Sequence, residues 1–76
     1  MIKRLDELEP GDGGVVVNLV GSGPLLRRLV DMGLVIGTRV KVLRRSPLGD
    51  PVEFEVRGYN LSLRKEEARH VFVEVE

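Results

Sequence analysis

The chain has 76 residues, no cysteine, and acidic and basic side chains in equal number, 12 of each. That length allows one small domain, residues 1–76, and the lack of cysteine excludes disulfides and thiolate metal sites as supports for it. No apolar run approaches the roughly 20 residues of a membrane span, and Met1-Ile-Lys-Arg-Leu-Asp-Glu7 lacks the apolar segment of a signal peptide, so the expectation is a cytoplasmic protein held by apolar packing, with self-association available to supplement a small core.

In chain order, Leu5 and Leu8 are spaced for one side of a short turn, and Glu9-Pro10-Gly11-Asp12-Gly13-Gly14 reads as a loop. Val15 to Val20 is an apolar, β-branched run, expected to form a strand buried on both faces or nearly so. Gly21-Ser22-Gly23 ends it, and Pro24 suits the start of a helix, where its missing N–H costs nothing. Leu25, Leu26, Leu29 and Val30 then fall on one helical face, with Arg27, Arg28 and Asp31 on the other. Gly33 is placed to end the helix in a left-handed conformation, with Leu34 as the apolar contact that follows.

Thr38 to Arg45 reads as a strand with Val40 and Val42 on one side and Arg39, Lys41 and Leu43 on the other. Pro47, Gly49 and Pro51 punctuate a tight connection. Val52, Phe54 and Val56 then alternate with Glu53, Glu55 and Arg57. This hairpin should bring Arg44 and Arg45 near the level of Glu53 and Glu55, where opposite charges attract across the sheet. Gly58 interrupts the strand, Leu61 and Leu63 resume the alternation, and Arg64 to Ala68 reads as one helical turn. Val71, Val73 and Val75 alternate with Phe72, Glu74 and Glu76 in a closing strand. The expected fold is mainly β: a small barrel of about five strands, closed or nearly so, with a helix after the first strand and a short helical turn before the last.

Charge is unevenly spread. Residues 13–52 hold Arg27, Arg28, Arg39, Lys41, Arg44 and Arg45 against only Asp31 and Asp50, while both flanking segments are net acidic. Internal pairing of the basic middle with the acidic ends explains this as simply as an anionic partner does. Nucleic acid is not the expected partner, because single-strand binders stack bases on aromatic side chains and only Phe54, Tyr59 and Phe72 are aromatic. The same scarcity argues against recognition of proline-rich peptides.

Catalysis finds no support either. Ser22, Ser46 and Ser62 have no evident base, and one histidine without cysteine leaves no nucleophile–base pair. Gly21-Ser22-Gly23 follows a strand and opens a helix, but position 26 is leucine where a dinucleotide fingerprint needs glycine, and no phosphate-loop motif is present. Glu66 and His70 have i,i+4 spacing suited to a metal on a helix. The helical turn gives way to a strand between them, however, and no third ligand is apparent, so they are weak metal candidates.

Four leucines point elsewhere. Leu48 occupies a turn tip where a polar residue is expected. Leu25 and Leu26 are adjacent and cannot both enter one core. Leu43 lies on the polar side of its strand. Exposed leucines rimmed by arginine mark protein interfaces; the same leucines would equally serve to cover the barrel ends.

The series Leu5-x-x-Leu8-x-Pro10-Gly11, Arg28-Leu29-x-x-Met32-Gly33-Leu34-x-x-Gly37-Thr38, Pro47-Leu48-Gly49-Asp50-Pro51, Arg57-Gly58 and Leu63-Arg64-Lys65-x-Glu67-Ala68 resembles the FeoA family across nearly the whole chain. Ser46 stands where that family often has alanine. The resemblance implies an SH3-like barrel and a role as cytoplasmic accessory to FeoB, the bacterial ferrous iron transporter that carries a cytoplasmic G-protein domain. A similar domain ends DtxR-type iron-dependent repressors, which makes a metal-responsive regulatory domain the alternative, with a small-barrel nucleic-acid binder behind it. The family is associated with transition metals, yet this sequence offers only Glu66 and His70, so no cofactor is expected beyond a weakly held divalent transition metal. The expected contacts with the transporter are Leu25, Leu26 and Leu48 as apolar anchors, with Arg27, Arg28 and Arg45 for orientation and steering. Gly33, Gly37, Gly49 and Gly58 are read as structural.

Overall fold

Alternating apolar residues build one antiparallel sheet in the computed structural model, which describes residues 1–76. Its six strands are β1 (Ile2–Arg4), β2 (Gly13–Leu19), β3 (Arg39–Arg45), β4 (Val52–Val56), β5 (Tyr59–Leu63) and β6 (Val71–Val75), in the order β1-β6-β2-β3-β4-β5. Helix α1 (Gly23–Asp31) follows β2, helix α2 (Lys65–Ala68) precedes β6, and a 3-10 turn spans Leu5–Glu7. No helix is long and apolar enough to cross a membrane.

Two expectations about the strands change. The count is six rather than about five, because Ile2–Arg4 pairs with β6, so α1 follows the second strand and not the first. Three residues are too few to display an alternation, and the pairing is supplied by Glu74, Val73 and Phe72 opposite them. The apolar run of β2 is also not buried on both faces: Gly14 and Val16 are buried, whereas Val15 and Val17 are only half-buried. The reason is a bulge. Val16 opposes Val73 and Asn18 opposes Phe72, which leaves Val17 as the extra residue. The bulge switches the inward phase from even to odd positions, so Leu19 packs against the core. A phase switch within a strand looks, in sequence, like a run with no alternation.

The second bulge lies in β3. Val42 opposes Phe54 and Arg44 opposes Glu53, which makes Leu43 the extra residue. The two bulges bend the sheet around one core, in which Phe54 is surrounded by leucines and valines from every strand except β1. Thr38 is the one polar side chain in the buried set, 5% exposed. It accepts a hydrogen bond at Oγ1 from Arg57 Nη2 at 3.2 Å.

The tightest contact in the sheet is between β2 and β6. A Cβ added at Gly14 would lie 2.0 Å from the carbonyl oxygen of Glu74 and 2.8 Å from Val73 Cγ1. Backbone blocks that site, so no rotamer change relieves the clash. Gly14→Ala should therefore cost about 3 kcal/mol or more, the upper end of overpacking penalties. Chemical denaturation checks this, and a loss under about 1 kcal/mol would mean that β2 and β6 part easily.

Candidate functional site

The surface expected to meet a partner is built on α1 and on the β3–β4 loop. Pro24 lies in the first turn of α1, and Ser22 is extended before it. The helix ends in a Schellman motif. The Leu34 N–H donates to the Leu29 carbonyl at 3.1 Å, and the Gly33 N–H donates to that of Val30 at 2.9 Å. Gly33 has φ of 95°, which a side chain would strain, and Leu29 and Leu34, the two apolar ends of the motif, are both fully buried. Gly37, Gly49 and Gly58 also have positive φ.

The inward face of α1 is narrower than expected. Leu29 is buried, and Leu25 and Met32 pack against the core. Leu26 is only half-buried, and Val30 is exposed instead of joining the buried face. Successive helical positions are about 100° apart, so Leu25 takes the inward direction and Leu26 is turned to the flank. Arg27 and Arg28 are exposed, and an open cleft of about 420 Å³ runs beside them, lined also by Gly23, Pro24, Asp31 and Met32.

Residues of the family pattern meet one another across the fold. Arg28 Nη1 donates to Glu67 Oε2, which ties α1 to α2. Glu67 Oε1 meanwhile accepts from the Arg64 N–H at 3.0 Å and so caps the start of α2. Glu7 does the same for the 3-10 turn, accepting from the Arg4 N–H at 2.8 Å. Asp50 Oδ1 accepts from the Lys65 N–H at 2.9 Å, which fastens the β3–β4 loop to α2. Ser46 Oγ donates to the Asp50 carbonyl at 2.6 Å across that loop. Tyr59 Oη donates to the Met32 carbonyl at the end of α1.

Leu48 stands at the tip of this fastened loop and is 95% exposed. Both Leu48 and α1 are thus anchored to α2, through Asp50 and Arg28 respectively. Arg45 is placed differently from Arg27 and Arg28. The β3 bulge turns Arg44 outward to Glu53, with Nε to Oε1 at 2.7 Å, and sets Arg45 opposite buried Val52. Arg45 does not reach Glu55, which faces Lys41 in the register. Its Nη2 donates to the Leu8 carbonyl at 2.6 Å, and its Nε lies 3.8 Å from Glu9.

The basic middle is thus largely spent internally. Arg28, Arg39, Arg44 and Arg45 pair with Glu67, Glu76, Glu53 and Glu9, all from the acidic ends. Arg27 and Lys41 make no ion pair.

Glu66 and His70 do not share a helical face. Helix α2 stops at Ala68, and His70 lies beyond its C-cap Arg69. The His70 ring rests against Gly21, with Nδ1 3.3 Å from where a Cβ there would lie. No three His, Asp or Glu side chains are grouped to hold a metal ion, so the residues present do not fit a resident metal centre. Gly21-Ser22-Gly23 opens α1 between antiparallel strands, without the parallel βαβ unit a dinucleotide site requires.

The FeoA domain family matches residues 3–75. The Fe(2+) transport protein A/Fe(2+) transporter FeoB fusion protein of Porphyromonas gingivalis is 42% identical over 72 residues, which cover 95% of this chain and 8% of the fusion. The chain therefore spans a small part of that relative's length. Among solved structures, an iron uptake regulatory protein, FeoA, superposes with a TM-score of 0.91 at 37% identity over 100% of both chains. The zinc-complexed FeoA of Stenotrophomonas maltophilia, described as a procaryotic SH3 domain protein, superposes with a TM-score of 0.81 at 29% identity, over 97% of this chain and 89% of that one. The architecture is accordingly the SH3-like fold that the motif resemblance implied.

Glu67 performs two tasks with its two oxygens, so its loss should exceed that of its partner. Glu67→Ala should cost about 1–2 kcal/mol, combining a cap with an ion pair, and Arg28→Ala less than about 1 kcal/mol. A double-mutant cycle under chemical denaturation separates the two, and equal losses would remove the capping role.

Proposed function

The chain belongs to the FeoA family, and from that membership we propose that it is a non-catalytic accessory of ferrous iron transport. It docks on the cytoplasmic part of an FeoB-type transporter and modulates iron uptake. The observation that carries this reading is the Porphyromonas gingivalis fusion, which holds an FeoA-like segment and an FeoB transporter in one polypeptide. Fusion makes two modules permanent neighbours, and it raises their effective concentration to the level that weak docking requires. The protein works in the cytoplasm and reaches the membrane only through this partner.

The docking face comprises Leu26, Arg27 and Arg28 on the flank of α1 and Leu48 on the β3–β4 tip. Support comes from exposure. Leu48 is almost wholly in solvent, Leu26 lies outside the core cluster, and Arg27 has no internal ion pair. Leu25 and Arg45 support this face from behind, Leu25 by packing on the core and Arg45 by holding the Leu8 carbonyl. Apolar anchors with an arginine rim combine desolvation with steering, so affinity should survive moderate salt.

Titration of isotope-labelled protein with the cytoplasmic domain of its cognate transporter tests this. Saturable amide shifts should cluster on Leu26–Arg28 and Leu48. Leu48→Asp should weaken binding by at least about tenfold with unchanged thermal stability, since a fully exposed side chain holds nothing in place. Leu26→Ser should weaken docking at a stability cost below about 2 kcal/mol; a loss of about 2–5 kcal/mol would make Leu26 a core residue and sink this interface. Absence of shifts with or without guanine nucleotide would sink docking on that domain.

A further inference from the structure

The outer edge of β5 is a recognition element that docking through α1 leaves unused. β5 pairs with β4 alone and ends the sheet. Edge strands in native proteins are guarded by lysine, proline, a bulge or an overlying element, because their free N–H and C=O groups invite pairing. Tyr59-Asn60-Leu61-Ser62-Leu63 has no charge and no proline, and its register against β4 runs without a shift. Asn60 and Ser62 are exposed.

The hydrogen-bonding phase of this edge follows from its turn. Arg57 and Gly58 have φ of 51° and 83°, so Val56 and Tyr59 are joined by a two-residue turn of type I′. The closing pair of such a hairpin exchanges both backbone bonds, and bonded and non-bonded pairs then alternate. Tyr59, Leu61 and Leu63 accordingly bond to Val56, Phe54 and Val52. The N–H and C=O of Asn60 and Ser62 point away from β4.

We propose that β5 pairs antiparallel with β5 of a second copy of this chain, about a two-fold axis through Leu61. With that axis Asn60 stands opposite Ser62 of the second copy, and both outward residues exchange both of their bonds. An axis at Asn60 or at Ser62 would leave the other outward residue unpaired. An axis between residues would set an outward residue against one already bonded to β4. The side chains agree with the same register. Asn60 meets Ser62 on one face, while on the other the half-buried Leu61 meets its own copy; Leu63 is buried in the core of its own chain and takes no part. Within Tyr59–Leu63 no charged residue faces another, and the basic residues Arg57, Arg64 and Lys65 lie outside the paired segment. A two-fold interface demands a patch that complements itself, and this edge does so in backbone phase, with Asn60 and Ser62 as its polar pair.

The test is sedimentation of the full chain over a rising concentration series, with amide hydrogen exchange read by NMR. The mass should approach twice that of the chain, and exchange at Asn60 and Ser62 should slow by more than about tenfold as it does. Ser62→Pro removes an outward donor without touching the ladder to β4, and Asn60→Lys adds the charge guard that the edge lacks. Each should raise the dissociation constant at least about tenfold, Ser62→Pro by the loss of two backbone bonds across the two-fold axis and Asn60→Lys by burying two charges at the interface. Asn60→Lys keeps every backbone donor, so it decides the question if Ser62→Pro fails to fold. A monomer at millimolar concentration overturns the proposal, as does a dimer that ignores both substitutions. Protection of Asn60 and Ser62 that appears only on adding the transporter's cytoplasmic domain also overturns it, and gives the edge to a strand of that partner.

Discussion

The approach of β2 to β6 at Gly14 is the constraint on which the rest of this structure depends. No side chain larger than hydrogen fits between Gly14 and the Glu74 carbonyl. That closeness lets β6, the last strand, sit between the first two and bring α2 back beneath α1. With no disulfide available, the return of the chain end into the sheet between β1 and β2 adds Val71 and Val73 to the core. The Val16–Asn18 bulge on the same strand then re-aims Leu19 inward and hands the chain to α1. One strand thus carries the tight contact, the phase switch and the entry to the helix.

A second layer of constraint fixes the connections. Individually, exposed ion pairs and single caps contribute about 1 kcal/mol or less. Their effect here is positional. Glu67 holds α1 and the start of α2 together, and Asp50 holds the β3–β4 loop to the same helix. Helix α2 has only four residues and could not persist alone, so it is stable because two other segments, α1 and the β3–β4 loop, are bonded to it. Leu48 can then be fully exposed on a loop that is nonetheless fastened at its base.

Much of this was legible in the residues. The alternation of Val52, Phe54 and Val56 gave β4 directly, and Gly33 followed by Leu34 gave the helix terminus with its apolar contact. The excess of arginine between acidic ends did translate into ion pairs between the middle of the chain and its ends. What could not be read were features with no sequence period. The bulges at Val17 and Leu43 break alternation, and that break resembles full burial in the first case and a misplaced leucine in the second. The role of Arg45 was hidden for the same reason. A steady alternation puts it outward, and only the bulge places its guanidinium on the Leu8 carbonyl. β1 was hidden by its length and by depending wholly on a strand about 70 residues away.

Surface chemistry follows from the same economy. Because most of the mid-chain cations are already matched by carboxylates of this chain, little net field remains to attract a polyanion, and electrostatic attraction is weak as a general source of affinity here. Recognition must then come from groups that internal pairing leaves unsatisfied. These are of two kinds: apolar side chains held out in solvent, such as Leu48, and backbone donors and acceptors on the uncharged rim of β5. The two differ physically. An apolar anchor gains affinity from desolvation and accepts any partner with a fitting pocket, whereas a strand edge demands a defined register. They also lie apart in the fold, Leu48 beyond the β3 end of its hairpin and Asn60 at the sheet margin. Leu48 and the outward backbone groups of Asn60 and Ser62 also contribute nothing to the core cluster, so either can be covered without loss of the packing that holds the sheet together.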